Sequence, residues 1–327
     1  MKNGGKILRL LLSFAIFGVA LFGLLNRQWI IDQATVWQFQ PSEELVSLSK
    51  NARMSEAGRF TFYASQPRLS DREEFNTKCT HTESGTVVLG CYVGQRIFIY
   101  DITDKRLEGI REVTAAHELL HAAYERLSAT DREYVVSLLH TESKKAMGPA
   151  FQKRLDAYKG VSEEDRNNEL HSIFATEASS LSPELEGYYA RYFTDRKAVV
   201  GLFKKYESVI TDLQASQEAL VKSLDSLADN INSGVKRYNQ DSRQLANDIS
   251  AFNARAAQRN GFAASTEFNA ARSELIIRQQ ELSSRYAALQ RQIQQYQAKK
   301  QQLDALQLQA DSLRRSLDST LAPVPSV

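Results

Sequence analysis

From Tyr206 to Leu317, apolar residues return at alternating steps of three and four, a spacing that admits little besides long, paired α-helix. Tyr206, Ile210, Leu213, Leu220 and Leu224 open a first arm that runs to Phe252, with Gln217, Gly234 and Ser242 in weak seam positions. Phe268, Leu275, Leu282, Tyr286 and Leu289 open a second arm that runs to Leu317. Between them, "QRNGFAAST" holds an Asn-Gly turn signal and a new helix cap, so an antiparallel hairpin is expected over residues 206–320. An arm of ~50 residues would be ~75 Å long. One continuous rod that dimerises in parallel is the alternative, and Gln and Ser in the seam suit exchange with a homodimer or another protein partner. Residues 321–327, with "APVPSV", read as a disordered tail.

The opposite end is apolar. "MKNGGKILRLLLSFAIFGVALFGLLNRQWII" begins with Lys2, Lys6 and Arg9 and then runs without a charge from Leu10 to Leu25. The run is slightly short of the ~20 residues a bilayer requires, and Trp29, Ile30 and Ile31 extend it once Arg27 snorkels to the interface. Residues 1–31 are therefore expected to form a short cytoplasmic N-terminus and one transmembrane signal anchor. A cleaved signal peptide ending at the "GVA" before Leu21 is the alternative. The positive-inside rule then leaves everything after about residue 32 on the extracytoplasmic side, as in a bacterial cell envelope.

The two cysteines suit that compartment. Cys79 and Cys91 flank "THTESGTVVLG", where Gly85 offers a turn and "TVVL" a strand, so a hairpin can bring them to bridging distance. Two unpaired buried thiols are the alternative. With 41 basic and 39 acidic residues spread along the chain, the formal charge is +2 and no basic stripe is left to grip nucleic acid.

Residues 32–205 read as a separate, mainly α head. "PSEELVSLSKNARM" gives a helix from near Ser42, and "SDREEF" another, capped by Ser70. "GTVVLGCYVGQRIFIYDI" is rich in Val, Ile, Tyr and Phe with glycine punctuation, which predicts two or three strands and the one convincing sheet. From Leu107 the pattern is helical, with Ser128 or Thr130 as a cap and Pro183 in a first turn.

"REVTAAHELLHAAYERL", residues 111–127, carries the chemistry. On a helix, His117 and His121 project from one face, about 40° apart, and can take two corners of a metal tetrahedron. Glu118, next to the first, can reach a water at an open corner. The intervening Ala115, Ala116, Leu119, Leu120, Ala122 and Ala123 are those of a buried helix, where two imidazoles and a carboxylate are costly without ligands or partners. Two histidines satisfied by core hydrogen bonds are the structural alternative.

"HELLH", preceded by the apolar strand "RIFIYDI", resembles the HExxH motif of the zincin metallopeptidases, over roughly residues 85–195. The resemblance implies Zn2+ as the ion and Glu118 as general base. It also implies a zincin-like head and a substrate strand lining the cleft at residues 97–102. The histidine-bearing extension of the metzincins is absent, because Ala122 to Arg126 continue as ordinary helix. In gluzincins a later helix supplies a glutamate. "DRNNELHSIFATEASSL" offers Glu177 as the chosen third ligand, for its small and apolar surroundings, with Glu169 and His171 as alternatives. His171, or one of Tyr188, Tyr189 and Tyr192, is also a candidate donor to an oxyanion, although core packing is the ordinary role of such tyrosines.

Two functions follow from different classes. The first is a membrane-anchored, extracytoplasmic zinc metallopeptidase that hydrolyses peptide or protein substrates. The second is a membrane-tethered coiled-coil scaffold or adaptor whose head is inactive or uses zinc structurally. Glu118 favours the first, since a structural site needs no carboxylate beside its ligand.

Overall fold

The computed structural model describes residues 4–79, 88–145 and 148–319. The tail at 321–327, the turn at Gly85 and His81 lie outside the described residues. Among the described residues the chain is mainly helical with one small sheet, and it divides into two compact units: residues 1–209 with 314–327, and residues 210–313.

In the first unit, α1 (Gly4–Leu25) and α2 (Arg27–Gln38) break at Asn26, whose side chain turns back to donate to the Phe22 carbonyl. Among the described residues no single helix is long and apolar enough to cross a membrane. Leu11–Leu25 and Arg27–Gln38 pass that test only together, as a pair bent by 76°. The straight extension of the apolar run through Trp29, Ile30 and Ile31 is thus not formed. Leu11, Phe14, Phe17 and Leu24 on α1 are all exposed.

Short capped elements follow. Ser42 caps α3 (Glu43–Asn51) and Ser55 caps α4 (Glu56–Ala64), each hydroxyl accepting an amide three residues on. Ser70 does not cap the next helix. It ends β1 (Arg68–Ser70), and Asp71 caps α5 (Arg72–Lys78) instead. Strands β2 (Gly90–Val93) and β3 (Arg96–Tyr100) complete a sheet of order β1-β3-β2, parallel between β1 and β3 and antiparallel between β2 and β3. Cys79, at the end of α5, and Cys91, on β2, form the expected disulfide, with Cα atoms 5.9 Å apart.

The core is built on α6 (Ile110–Glu125). One face packs on the sheet and another on α9 (Glu163–Glu177), leaving Ala115, Ala116, Leu119, Leu120 and Ala122 without exposed surface. Ser128 caps α7 (Ala129–Ser143), Pro149 opens α8 (Pro149–Asp156), and Pro183 opens α10 (Pro183–Tyr189) after the Ser182 cap. The first turns of α11 (Arg196–Ala256) still belong to this core, where Val199 and Phe203 are buried.

The second unit comprises most of α11 and of α12 (Ser265–Leu317). Contacts advance along α12 as they retreat along α11: Phe252 meets Phe268, Asp248 pairs with Arg278, Tyr238 stacks on Tyr286, and Gly234 lies against Leu289. The arms are an antiparallel hairpin. At its tip the Asn-Gly turn needs its glycine for space, because a Cβ on Gly261 would overlap the Arg255 carbonyl.

Candidate metal centre

Helices α6 and α9 bring three ligand atoms together. Nε2 of His117 lies 3.5 Å from one carboxylate oxygen of Glu169, and Nε2 of His121 lies 3.5 Å from the other. The ligand atoms of this His117–His121–Glu169 group all fall within 4.8 Å of one another. Donors ~2.0–2.1 Å from a tetrahedral ion stand about 3.4 Å apart, so the two imidazole-to-carboxylate separations are already those of ligands around one ion. Two imidazole nitrogens with one carboxylate form a donor set that several divalent transition metals accept, zinc and iron among them.

The surroundings hold these side chains in place. Nδ1 of His121 is 3.0 Å from Oδ1 of Asn168, so the ring donates its Nδ1 proton there and leaves the Nε2 lone pair facing Glu169. The Ser172 hydroxyl stands 3.5 Å from the same Nδ1. Burial alone would push the His117 imidazolium towards neutrality, but Glu169, with Glu118 and Glu177 behind it, outweighs burial and raises its pKa to about 9. His121 moves the other way, lowered by burial and by the charge on His117.

Glu118 is 5% exposed and is packed under the start of β2. A Cβ on Gly90 would stand 2.6 Å from its Oε1 and 2.6 Å from Thr114, so only glycine lets the strand come this close to the carboxylate.

Three expectations need correction. Glu177 is not brought to the histidines. At the end of α9 its side chain is 11% exposed and bound by Arg154, which also holds Glu207. The acid delivered to the metal group is Glu169, two helical turns earlier. His171 is not at the centre either. Two residues on from Glu169, it points to the opposite side of α9, some 160° around the helix. There it is fully buried among Tyr124, Tyr188 and Tyr189, and its Nε2 pairs with the Tyr188 hydroxyl at 2.9 Å. Burial lowers its pKa to about 3, and it meets no solvent from which a substrate could arrive. The Tyr188 and Tyr189 rings are buried in the same cluster.

The third correction concerns the strand expected to line the cleft. Ile97 to Tyr100 lie on β3, the central strand, hydrogen-bonded on both sides. The sheet edge beside Glu118 belongs to β2, which has a strand partner on one side only among the described residues. Asn168 and Gly90 carry no motif of their own. Adjacency to Glu169 was the one signal for the first, and the second is visible only in three dimensions. No family model, no curated protein and no solved structure matches this chain.

Proposed function

We propose that the protein is a membrane-anchored zinc metallopeptidase with a zincin-like head on the extracytoplasmic side. The observation that carries the reading is the convergence of His117, His121 and Glu169 at metal-ligand spacing, with the carboxylate of Glu118 buried alongside. His117 and His121, through Nε2, and Glu169 would hold the ion. When bound, zinc supplies Lewis acidity that polarises a peptide carbonyl and acidifies water. Glu118 takes the proton of the attacking water and delivers it to the leaving amine, a role that suits a shielded carboxylate one residue from a ligand. An extended substrate adds antiparallel or parallel to the outer edge of β2, where backbone hydrogen bonds hold it next to Glu118 whatever its side chains. The apolar exposure of α1 from Leu11 to Leu25 supports a membrane anchor, since such a surface is stable only when covered.

Purified full-length protein, stripped with chelator and reloaded, is expected to bind one zinc per chain and to digest an unfolded protein such as casein. Glu118→Gln should retain the metal and lose at least about 100-fold in hydrolysis. Failure to take up metal, or undiminished hydrolysis by Glu118→Gln, would overturn the proposal.

A further inference from the structure

The 76° bend at Asn26 has a counterpart on the surface of α2. One side of α2 is fastened to the head: Asp32, 5% exposed, receives Arg126 Nε at 2.9 Å and Nη2 at 3.0 Å. The same guanidinium donates to the Tyr92 hydroxyl on β2 at 3.0 Å and to the Ala122 carbonyl at 2.9 Å. Arg126 caps α6, so the end of the helix bearing His117 and His121 is tied directly to α2.

The opposite side of α2 is exposed, with Ile30, Ala34 and Trp37 in a line flanked by Gln33 and Gln38. Trp37 is 87% exposed and Ile30 41%, and Trp29, 54% exposed, stands about 60° round the helix from Asp32. Ile30 and Trp37, seven residues apart, share one line along the helix, well round from Asp32. Tryptophan with aliphatic neighbours on an exposed helix face is the composition of a bilayer interface, and only Asn26 separates α2 from the end of the apolar run. With α1 near the bilayer normal, the bend lays α2 close to the membrane plane, apolar face down and Asp32 up.

Resting on the peptidase reading above, we infer that α2 is an interfacial helix clamped between lipid and head, and that the metal centre therefore serves membrane-proximal segments of polypeptides anchored in the same bilayer. Half a helix diameter separates the acyl boundary from the α2 axis, and about one helix-packing distance separates that axis from Arg126. His121 and His117 lie about 8 and 14 Å further along α6. These lengths place the centre no more than roughly 30 Å above the lipid, which an extended chain crosses in about nine residues.

Two measurements on the full-length protein in vesicles of phosphatidylethanolamine and phosphatidylglycerol test this. Trp29 and Trp37 are the two tryptophans of the chain, so its indole emission reports on α2 alone. Lipids brominated high on the acyl chain should quench that emission more than lipids brominated near the chain end. Absence of quenching, as when a second copy covers the face, overturns the interfacial placement. In the second measurement, a peptide cut from casein is attached to a lipid anchor through spacers of increasing length. A scissile bond about ten residues from the anchor should be cut as fast as one about forty residues away. Cleavage confined to spacers of about thirty residues or more overturns the inference while leaving the peptidase reading intact. No hydrolysis of free or anchored peptide overturns both.

Discussion

Glu169 and Glu177 stand on the same helix and differ in what holds them. Glu169 spans two imidazoles, whereas Glu177 is neutralised by Arg154, so the two carboxylates should answer differently to removal. Glu169→Ala is expected to weaken zinc binding at least about 100-fold and Glu177→Ala less than about tenfold, measured by competition with a chromophoric chelator. Asn168→Ala, which frees the His121 ring to rotate, should cost about 10–100-fold. The metal-free centre keeps a proton on His117 up to a pH of about 9, and an incoming ion must expel it. Apparent zinc affinity should therefore rise with pH, by up to about tenfold per unit, and level off near that value. A flat profile between about pH 6 and about pH 8 would show that His117 carries no such proton.

Among the elements, β2 braces the centre from the side of the sheet. Its first residue touches Glu118, its second is disulfide-bonded to α5, and its third meets Arg126. Gly90→Ala should displace the Glu118 carboxylate and lower kcat about 10–100-fold with full zinc content, a split that metal analysis and kinetics on one preparation will reveal. Replacing Cys79 and Cys91 together by serine should cost about 2–3 kcal/mol, for a loop of this length, and lower the thermal midpoint of the head by several degrees.

The two compact units make separate demands. The head has its own core, which includes the first turns of α11, and the antiparallel hairpin returns its two ends to about one helix-packing distance. Replacing residues 210–313 by a short Gly-Ser linker should therefore leave zinc binding within about threefold of the intact chain. Loss of zinc binding in a folded deletion protein would mean that the hairpin shapes the centre.

Local pattern carried much of this. The heptad-like spacing after Tyr206 requires helical pairing, and Asn260 with Gly261 marks where it turns back. Ser42 and Ser128 declare helix starts, and the HELLH spacing places His117 and His121 on one side of a buried helix. These are features of neighbours along the chain, governed by helix period and backbone hydrogen bonding. Which acid joins the histidines depended on the rotation of α9 against α6, and which strand lies in the middle of the sheet depended on β1, a three-residue element too short to announce itself. The bend at Asn26 likewise accompanies a pairing distant in sequence, that of Asp32 with Arg126, so that a run legible as one straight apolar helix is two helices, α1 and α2. Periodicity fixes what each segment can be; packing between segments far apart in sequence decides which side chains meet, because the energy of those meetings depends on position in space.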